Sequence, residues 1–527
     1  MPWPQIYNPL GSQLGSTAVA ALPILVLMGL LLFSRLRPYY SAFIGLICAT
    51  AVAAFVYRMP TGKILASISF GILYGLLPIG WIVLNVFFLF KILTNAGLIE
   101  DLKTALVAMT GDQRVQLLLV AYCFGAILEG AAGFGTPVAI TASILIGLGF
   151  SPLDASVLSL LANTAPVAYG GLGTPIIALQ GVTGLDLGEL SATVGRLLSP
   201  IGAIIPIWLV WAYAGWRKTK EILPILLVSG ITYAIAQRAI SSLHGPWLVG
   251  VGAGIFSLSA TLLALNFSSL MTKKSKNTAR KEGNSAWRLW LPWLVLIALI
   301  LVWGLPGVKS LLDKTTIEFA IPALDQQVLR MSPIVAEPTS EPAVFKLNWL
   351  SATGTAIFLA GIINGLLFGY KPREIIGAFS TSIHDVRFSL LTISGMMSLG
   401  FITRYSGMDA TLGLAFASAG IFYPFFGTLL GWLGVAITGS DTSSNVLFGS
   451  LQTITARKLG LDATLMASAN SAGGVMGKMI DAQSIVIAST STRWFGHENQ
   501  ILRKVIAHSV VLAVIVGLIV TAEIYWI

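Results

Sequence analysis

The chain has 527 residues, of which 55% are hydrophobic and only 10% charged, and its mean hydropathy is +0.83. A soluble globular protein carries about 25% charged residues, so this composition excludes that class. Several apolar runs reach the roughly 20 residues that a helix needs to cross a bilayer. The runs are continuous rather than alternating, which excludes a membrane β-barrel. The sequence therefore predicts an all-α polytopic protein that resides in the lipid bilayer.

Charge, cysteine content and the N-terminus narrow the class further. The net charge of +10 indicates basic loops, and no basic run interleaved with aromatic residues suggests nucleic acid as a partner. Cys48 and Cys123 lie in apolar segments and give no disulfide or metal-ligand pattern, so we expect no cofactor and no metal. The start Met1–Pro4 lacks the positive region of a secretory signal, so the first apolar segment is expected to remain as a membrane helix.

Taken in chain order, the apolar segments predict about 12 spanning helices plus re-entrant or broken ones. Two regions are apolar but interrupted by Gly, Pro, Ser, Thr and Asn, namely 115–180 and 412–490. The basic residues that flank successive segments must alternate between the two sides of the membrane. Each interrupted region must therefore cross the membrane once in total, so one part of each region is expected to enter and leave the membrane on the same side. The continuous segments lie near 14–34, 39–58, 64–93, 189–213, 221–243, 246–267, 287–306, 349–368, 374–402 and 504–525.

Basic residues between the segments predict the orientation. The segment 268–288 holds six Lys and Arg residues against one acid, so the positive-inside rule places it in the cytoplasm. The segment 307–346 has mixed charge and four prolines, which is typical of an external loop. Counting crossings from these anchors places both termini outside, although Arg58 and Lys63 then also lie outside, against the rule.

The two halves of the chain resemble each other weakly at an offset near 310. Asp154-Ala155 and Asn163-Thr164 correspond to Asp462-Ala463 and Asn470-Ser471. Because the basic flanks of matching segments lie at opposite ends, the second copy is expected to run through the membrane in the opposite direction. Such inverted repeats are typical of secondary transporters, with the binding site near the midplane. We therefore predict a first repeat at 1–215, a connecting region at 216–286 and a second repeat at 287–527.

The first interrupted region contains Gly-x-Gly-Thr-Pro twice, at 133–137 and 171–175. Thr favours the N-cap of a helix and Pro its first position, so each motif predicts a glycine-rich bend followed by a new helix. The N-terminus of a helix favours an anion, and we expect Gly133, Gly135 and Thr136 to contact a carboxylate. The alternative is a kinked helix that packs closely through glycine.

The second interrupted region contains eight consecutive small or polar residues, 438–445. Such a run is costly against lipid, so it must face protein, water or a ligand. Its hydroxyl and amide groups can bind a carboxylate and an adjacent hydroxyl, whereas the alternative is a polar contact between helices. The predicted substrate ligands are Thr442, Ser443, Ser444 and Asn445, together with Asn163, Thr164 and Asn470 as lateral donors.

Two acids at the breaks, Glu129 and Asp441, are candidates for proton coupling. Acids within the membrane are functional candidates by default, and burial favours the neutral form of a carboxyl group. Either acid can instead cap a helix start. Lys478 and Asp481 have the i, i+3 spacing of a helical pair, which favours mutual neutralisation.

These breaks strongly resemble the bacterial lactate permease family. The resemblance implies uptake of L-lactate, and often of D-lactate and glycolate, coupled to protons across the inner membrane. It also implies inverted repeats, re-entrant hairpins and an elevator-like movement. The sequence departs from the family pattern at Asp481-Ala482, where Ser-Pro is usual, and at Arg404, where a neutral residue is common. The matching residues are 121–140, 163–170, 215–217, 438–445 with Gln452, and 477–485.

Together these features favour a secondary transporter that carries a small 2-hydroxymonocarboxylate with a proton. The main alternative is a sodium-coupled carrier of other carboxylates, such as di- or tricarboxylates. A substrate with a second negative charge would normally require more basic residues at the breaks. A membrane-embedded enzyme is disfavoured, since no catalytic triad, metal cluster or Walker motif lies at membrane depth. A channel is a further alternative. The residues alone leave open the preferred acid, the coupling ion and the oligomeric state.

Overall fold

The computed structural model of the protein describes residues 2–33, 36–107, 110–133, 135–266, 285–335 and 337–526. Within this part of the chain ten helical stretches are long and apolar enough to cross a membrane. The number rises to eleven if the helices Leu291–Gly304 and Gly307–Asp313, bent by 73°, count as one span. The prediction of an all-helical polytopic membrane protein is thus confirmed, with a count slightly below the expected 12.

All ten predicted continuous segments are helical, and the segment near 349–368 forms a shorter helix of 15 residues, Thr353–Leu367. The helices up to residue 266 are Gln13–Phe33, Pro38–Ala51, Thr61–Tyr74, Trp81–Asn95, Leu98–Val107, Gln113–Leu117, Gly125–Ala131, Thr136–Gly147, Pro152–Asn163, Gly170–Thr183, Leu187–Glu221, Leu223–Leu243 and Val249–Asn266. Those after residue 284 are Ser285–Gly304, Pro306–Asp313, Thr353–Leu367, Pro372–Ser406, Met408–Phe416, Tyr423–Thr438, Asp441–Leu459, Ala463–Gly477, Ala482–Ser491 and Glu498–Trp526. Short π-helical turns occur at Val52–Val56, Gly75–Gly80 and Leu118–Phe124, and 3-10 turns at Val167–Tyr169 and Ala417–Phe422.

The predicted external loop contains short strands as well as the short helix Pro306–Asp313. Ile317–Ala320 pairs antiparallel with Val344–Leu347. Val328–Arg330 pairs antiparallel with Thr339–Ser340 and parallel with the N-terminal strand Trp3–Pro4. The N-terminus and this loop therefore lie at the same end of the molecule. The basic segment predicted to be cytoplasmic lies, from 268 to 284, outside the described residues.

Each interrupted region forms several helices separated by short bends. The bends occur where glycine takes a backbone conformation that other residues disfavour, with φ of +59° at Gly133, +82° at Gly135 and +71° at Gly439. Glycine also permits close helix packing, since a Cβ atom on Gly431 or Gly473 would collide with the backbone of Asn470 or Thr428. The bends of the two regions therefore meet inside a closely packed bundle.

Candidate functional site

A small cavity of about 90 Å³ lies where bends from the two halves of the chain meet. A larger cavity of about 330 Å³ shares Thr174, Ser440, Thr442 and Gln483 with it. The larger cavity extends to Arg37, so it connects the small cavity with that end of the molecule. The small cavity is lined by Glu129, Gly133, Val167, Gly170, Gly171, Thr174 and Pro175 from the first half and by Gly439, Ser440, Asp441, Thr442, Lys478 and Gln483 from the second.

Two helix starts form part of the cavity wall. In the first half the chain passes through three left-handed residues, 171–173, before a regular helix begins at Thr174. In the second half Ser440 caps the helix Asp441–Leu459 by accepting a hydrogen bond from the Ser443 amide at 3.2 Å. The Asn445 amide donates to the Pro175 carbonyl at 3.1 Å and so joins the two starts. Free N–H groups at such starts favour an anion.

Lys478 supplies a positive charge at the cavity, where its side chain is 10% exposed. Its ammonium group donates to the Gly439 carbonyl at 2.6 Å and lies 3.4 Å from the Asp481 carboxylate, which is the pairing expected from the sequence. Asp481 also accepts from the Ser484 amide and so caps the next helix. The ammonium group of Lys478 interacts electrostatically with both Glu129 and Asp441.

Asp441 is held by hydrogen bonds. One of its oxygens accepts from the Ser471 hydroxyl at 2.6 Å and from the Asn445 amide at 3.4 Å. Asn445 in turn accepts from Asn470 at 3.0 Å, and Asn470 accepts from Gln452 at 3.2 Å. The second oxygen of Asp441 has no protein partner among the described residues. One carboxyl oxygen of Asp441 is thus held by two hydrogen bonds, whereas the other packs against Gly474 without a hydrogen bond from the described residues.

Glu129 lies in different surroundings. It is 3% exposed, and one of its carboxyl oxygens has no protein partner within the described part of the chain. Asn163 lies beside it, yet neither polar atom of the Asn163 side chain makes a hydrogen bond of good geometry there. Gly170 packs directly against the carboxyl group, because a Cβ atom at that position would collide with it.

The structure brings some of the predicted site residues together and separates others. Glu129, Gly133, Asp441 and Thr442 line the small cavity, and Ser443 lines the larger one. The remaining seven predicted residues line neither cavity. Ser444, Asn445 and Asn470 belong to the hydrogen-bond network around Asp441. Thr164 donates to the Leu161 carbonyl, Asn163 lies beside Glu129, and Gly135 and Thr136 begin the helix Thr136–Gly147.

Sequence reasoning missed four polar residues of the lining of the small cavity, Thr174, Ser440, Lys478 and Gln483. Thr174 belongs to the second Gly-x-Gly-Thr-Pro motif, so the motif that identified Thr136 could also have identified it. Ser440 lies within the polar run at 438–445, and Lys478 is a charge at membrane depth that pairing alone seemed to explain. Gln483 carried no comparable signal in the sequence. No group of three His, Cys, Asp or Glu side chains that can hold a metal occurs in the described ranges.

A many-helix membrane protein whose interrupted helices enclose a charged, polar cavity has the organisation of a membrane transport protein. The family model described as L-lactate permease matches residues 16–527. The chain is 40% identical to the glycolate permease GlcA and to the L-lactate permease of Escherichia coli strain K12, in each case over 99% of this chain and 98% of the relative. It is 39% identical to the L-lactate permease of Bacillus subtilis strain 168, over 98% of both chains.

The chain therefore belongs to the L-lactate permease family. It is a permease and not an enzyme, and it is a multi-pass membrane protein.

Proposed function

We propose that this protein takes up L-lactate, and also D-lactate and glycolate, by proton symport across the inner membrane. The names of its relatives support a small 2-hydroxymonocarboxylate as substrate. The observation that carries the proposal is the cavity in which two helix starts, one lysine and two acids meet. Its small volume of about 90 Å³ favours a small molecule.

The charges at the cavity favour coupling to protons. Lys478 contributes one positive charge, and Asp481, Glu129 and Asp441 contribute up to three negative charges, which gives a sum of −2 when all four are ionised. A bound monoanion would then raise the buried charge to −3, which is strongly unfavourable. Protonation of one or both cavity acids lowers this negative charge to −2 or −1, so proton and anion each favour binding of the other. One proton with one anion makes the cycle electroneutral.

We assign the substrate carboxylate to the helix starts at Thr174–Pro175 and Asp441–Thr442, with Lys478 as counter-charge. Thr442, which lines both cavities, and Ser443, which lines the larger one, offer hydroxyl donors, and Gly133 allows close approach of the backbone. Glu129 or Asp441 is the proton-binding group. Asn445 and Asn470 then position the second helix start and need not contact the substrate.

Orientation and movement belong to the same proposal. With the inside defined by basic loops, the larger cavity opens towards the cytoplasmic end at Arg37, and both termini lie outside. We infer an inward-facing state of an elevator-like carrier built from inverted repeats at 1–215 and 287–527, joined by 216–286. The matching order of bends in regions 115–180 and 412–490 supports this division.

Counterflow and driven uptake in proteoliposomes test the proposal. The purified protein is loaded with lactate, and uptake of labelled L-lactate is competed with glycolate, malate and acetate, with and without sodium. We expect competition by glycolate, accumulation driven by an inward proton gradient, and collapse of that accumulation with a protonophore. Sodium-dependent uptake that ignores pH would replace the proposal with a sodium-coupled carrier. Flux without saturable counterflow would indicate a channel.

A further inference from the structure

Near Glu129 lies a group of buried polar side chains, outside the lining of the substrate cavity apart from Glu129 itself, that have few protein partners in the described part of the chain. Seven of the 19 buried polar atoms that have no partner in the described part of the chain belong to five residues. Each of these residues is at most 3% exposed. They are Glu129, Asn163, Ser191, Tyr233 and Gln237.

These side chains form one connected row. Tyr169 directly precedes Gly170, at which a Cβ atom would collide with the Glu129 carboxyl group. Tyr233 is close enough to Glu129 and Tyr169 for an electrostatic interaction with both. Tyr233 and Gln237 are one helical turn apart and face the same point on the neighbouring helix, since a Cβ atom on Gly202 would lie 2.9 Å from the Tyr233 ring and 3.1 Å from the Gln237 oxygen. The row therefore leads from Glu129 along the contact between the helices Leu187–Glu221 and Leu223–Leu243.

The row continues to Ser191 through Tyr169. The Tyr169 hydroxyl donates to the Ser191 carbonyl at 2.6 Å. A Cβ atom on Gly195 would lie 3.0 Å from the Tyr169 hydroxyl and would collide with Ser241, which is one turn beyond Gln237. Ser191 lies within about one turn of the exposed Gly188 and Glu189. The polar row thus ends close to a surface.

That surface lies opposite the substrate opening. Ser191 is near the start of its helix, whereas Arg217 and Lys218 lie near the end, which the positive-inside rule assigns to the cytoplasm. The larger cavity reaches the end of the molecule that carries Arg37, and the orientation predicted from the basic loops places Arg37 on the cytoplasmic side as well. The polar row and the substrate opening therefore leave Glu129 in opposite directions.

Buried polar groups without protein partners require another partner, which in folded proteins is usually water that makes about three hydrogen bonds. A single cation fits less well, because Tyr233 to Ser241 spans two helical turns, roughly 12 Å, whereas the oxygen ligands of one ion surround a single point. We infer that the residues Tyr233, Gln237, Tyr169 and Ser191 enclose a file of water molecules that conducts protons between the outer surface and Glu129.

This inference rests on the proposed proton symport and gives it a route. A hydronium ion at the outer end passes its excess proton from water to water, and the last water transfers the proton to the Glu129 carboxylate, which becomes a neutral carboxyl group. No other bond changes. The ionisable groups that face Glu129 are Lys478 and Asp441 across the cavity and Tyr233 on the side of the row.

The test replaces Gln237 by leucine, which keeps the volume and removes both unpartnered atoms. Wild-type protein and Gln237→Leu are compared in proteoliposomes for labelled L-lactate uptake driven by a proton gradient and for lactate counterflow. We expect the ratio of driven uptake to counterflow to fall about tenfold. Asn85→Leu is the matched control, because Asn85 is also fully buried with an unpartnered amide oxygen among the described residues, but lies on the helix Trp81–Asn95. Its ratio is expected to stay within twofold of wild type.

Three outcomes would overturn the inference. An unchanged ratio in Gln237→Leu would mean that the row is dry and carries no proton. A change in the sodium concentration required for uptake would identify a sodium site. If Gln237→Leu fails to fold, Tyr233→Phe removes one hydroxyl with little change in shape, and an unchanged ratio in that variant would exclude the path. Absence of proton-driven uptake in the wild type, by contrast, would refute the proposed symport itself.

Discussion

The two acids of the cavity lie in contrasting surroundings. Asp441 begins a helix and accepts hydrogen bonds from Ser471 and Asn445, which continue through Asn470 to Gln452 and Tyr423. Glu129 lies instead beside polar groups that have few protein partners in the described ranges. The acid of the second half is therefore held by protein groups, whereas the acid of the first half lies next to buried polar atoms that have no protein partner in the described ranges.

This difference assigns different tasks to the two halves. A connected hydrogen-bond network holds side chains in one arrangement and suits recognition of a defined anion. A buried carboxyl group at the end of the proposed file of water molecules can exchange a proton without moving the substrate. The comparison therefore favours Glu129 over Asp441 as the group that carries the transported proton.

The largest effect is expected from Lys478→Met. Removing one partner of a buried charge pair costs about 2–5 kcal/mol in binding, so we expect both driven uptake and counterflow of L-lactate to fall by a factor of about 30 to several thousand. Initial rates at several lactate concentrations, normalised to protein in the membrane, measure the change.

A double variant tests whether Lys478 binds the substrate carboxylate or only neutralises Asp481. Lys478→Met leaves Asp481 without its counter-ion, and adding Asp481→Asn removes that charge while keeping a good helix cap. If Lys478 only neutralises Asp481, the double variant recovers transport. We expect transport to stay low, because the substrate carboxylate has lost its counter-charge.

Glu129→Gln tests the division of tasks directly. The amide cannot carry the transported proton, so proton-driven accumulation of L-lactate is expected to fall about thirtyfold or more, while counterflow falls less than threefold. Asp441→Asn is the comparison variant and is expected to weaken both modes together, because Asp441 belongs to the ordered binding wall. The opposite pattern in the two variants would exchange their roles.

Composition and hydropathy were sufficient to predict the membrane fold, because the requirement to bury every backbone polar group leaves a spanning segment few options. The ten continuous segments became helices for this reason. The short strands of the predicted external loop were not predicted, since each has only two to four residues and is formed by pairing with a strand elsewhere in the chain, which for Val328–Arg330 includes the distant N-terminal strand Trp3–Pro4. The bent pair after Ser285 also depends on tertiary contacts.

The site was predicted only in part, and the reason is geometric. A polar run shows that its residues must avoid lipid, but not which side chains face a cavity and which face another helix. Thr442 faces the cavity, whereas Asn445 turns away from it to bond Pro175. Lys478 was explained by its neighbour in sequence, although its position beside Glu129 depends on how the two halves meet. The row behind Glu129 has no sequence motif at all.

Stability should distinguish the two sides of the cavity. Asn470→Leu leaves Asn445 and Gln452 without one hydrogen-bond partner each, so we expect the free energy of unfolding to fall by about 2 kcal/mol. Gln237→Leu removes atoms that have no protein partner among the described residues, and it is expected to change stability by less than about 1 kcal/mol. Thermal unfolding of both variants in the same detergent measures the difference. An equal loss of unfolding free energy in the two variants would contradict the contrast between the hydrogen-bonded network around Asp441 and the unpartnered polar groups near Glu129.

The smallest effect concerns two acids at corresponding positions within the two interrupted regions, Asp154 and Asp462. Asp154 pairs with Lys504 at 2.7 Å, whereas Asp462 caps its own helix by accepting from the Thr464 and Leu465 amides. Burial tends to raise the pKa of Asp154, but hydrogen bonds from Lys504 and Ser151 outweigh it and hold that pKa below its ordinary value of 3.8.

A carboxyl group whose pKa is depressed by folding stabilises the folded state above its unfolded pKa, and this stabilisation is lost as the pH falls through the folded pKa. Asp154→Asn is therefore expected to lower stability at pH 7 by less than about 1 kcal/mol, since the pair is partly exposed. The difference from wild type should shrink as the pH falls below about 4. Asp462→Asn is the comparison variant and is expected to keep its stability at pH 7, because asparagine caps a helix as well as aspartate does. Thermal unfolding of both variants is measured at pH 7 and pH 3. A pH-dependent loss of stability in Asp462→Asn alone would show that the charge of Asp462, rather than that of Asp154, stabilises the fold.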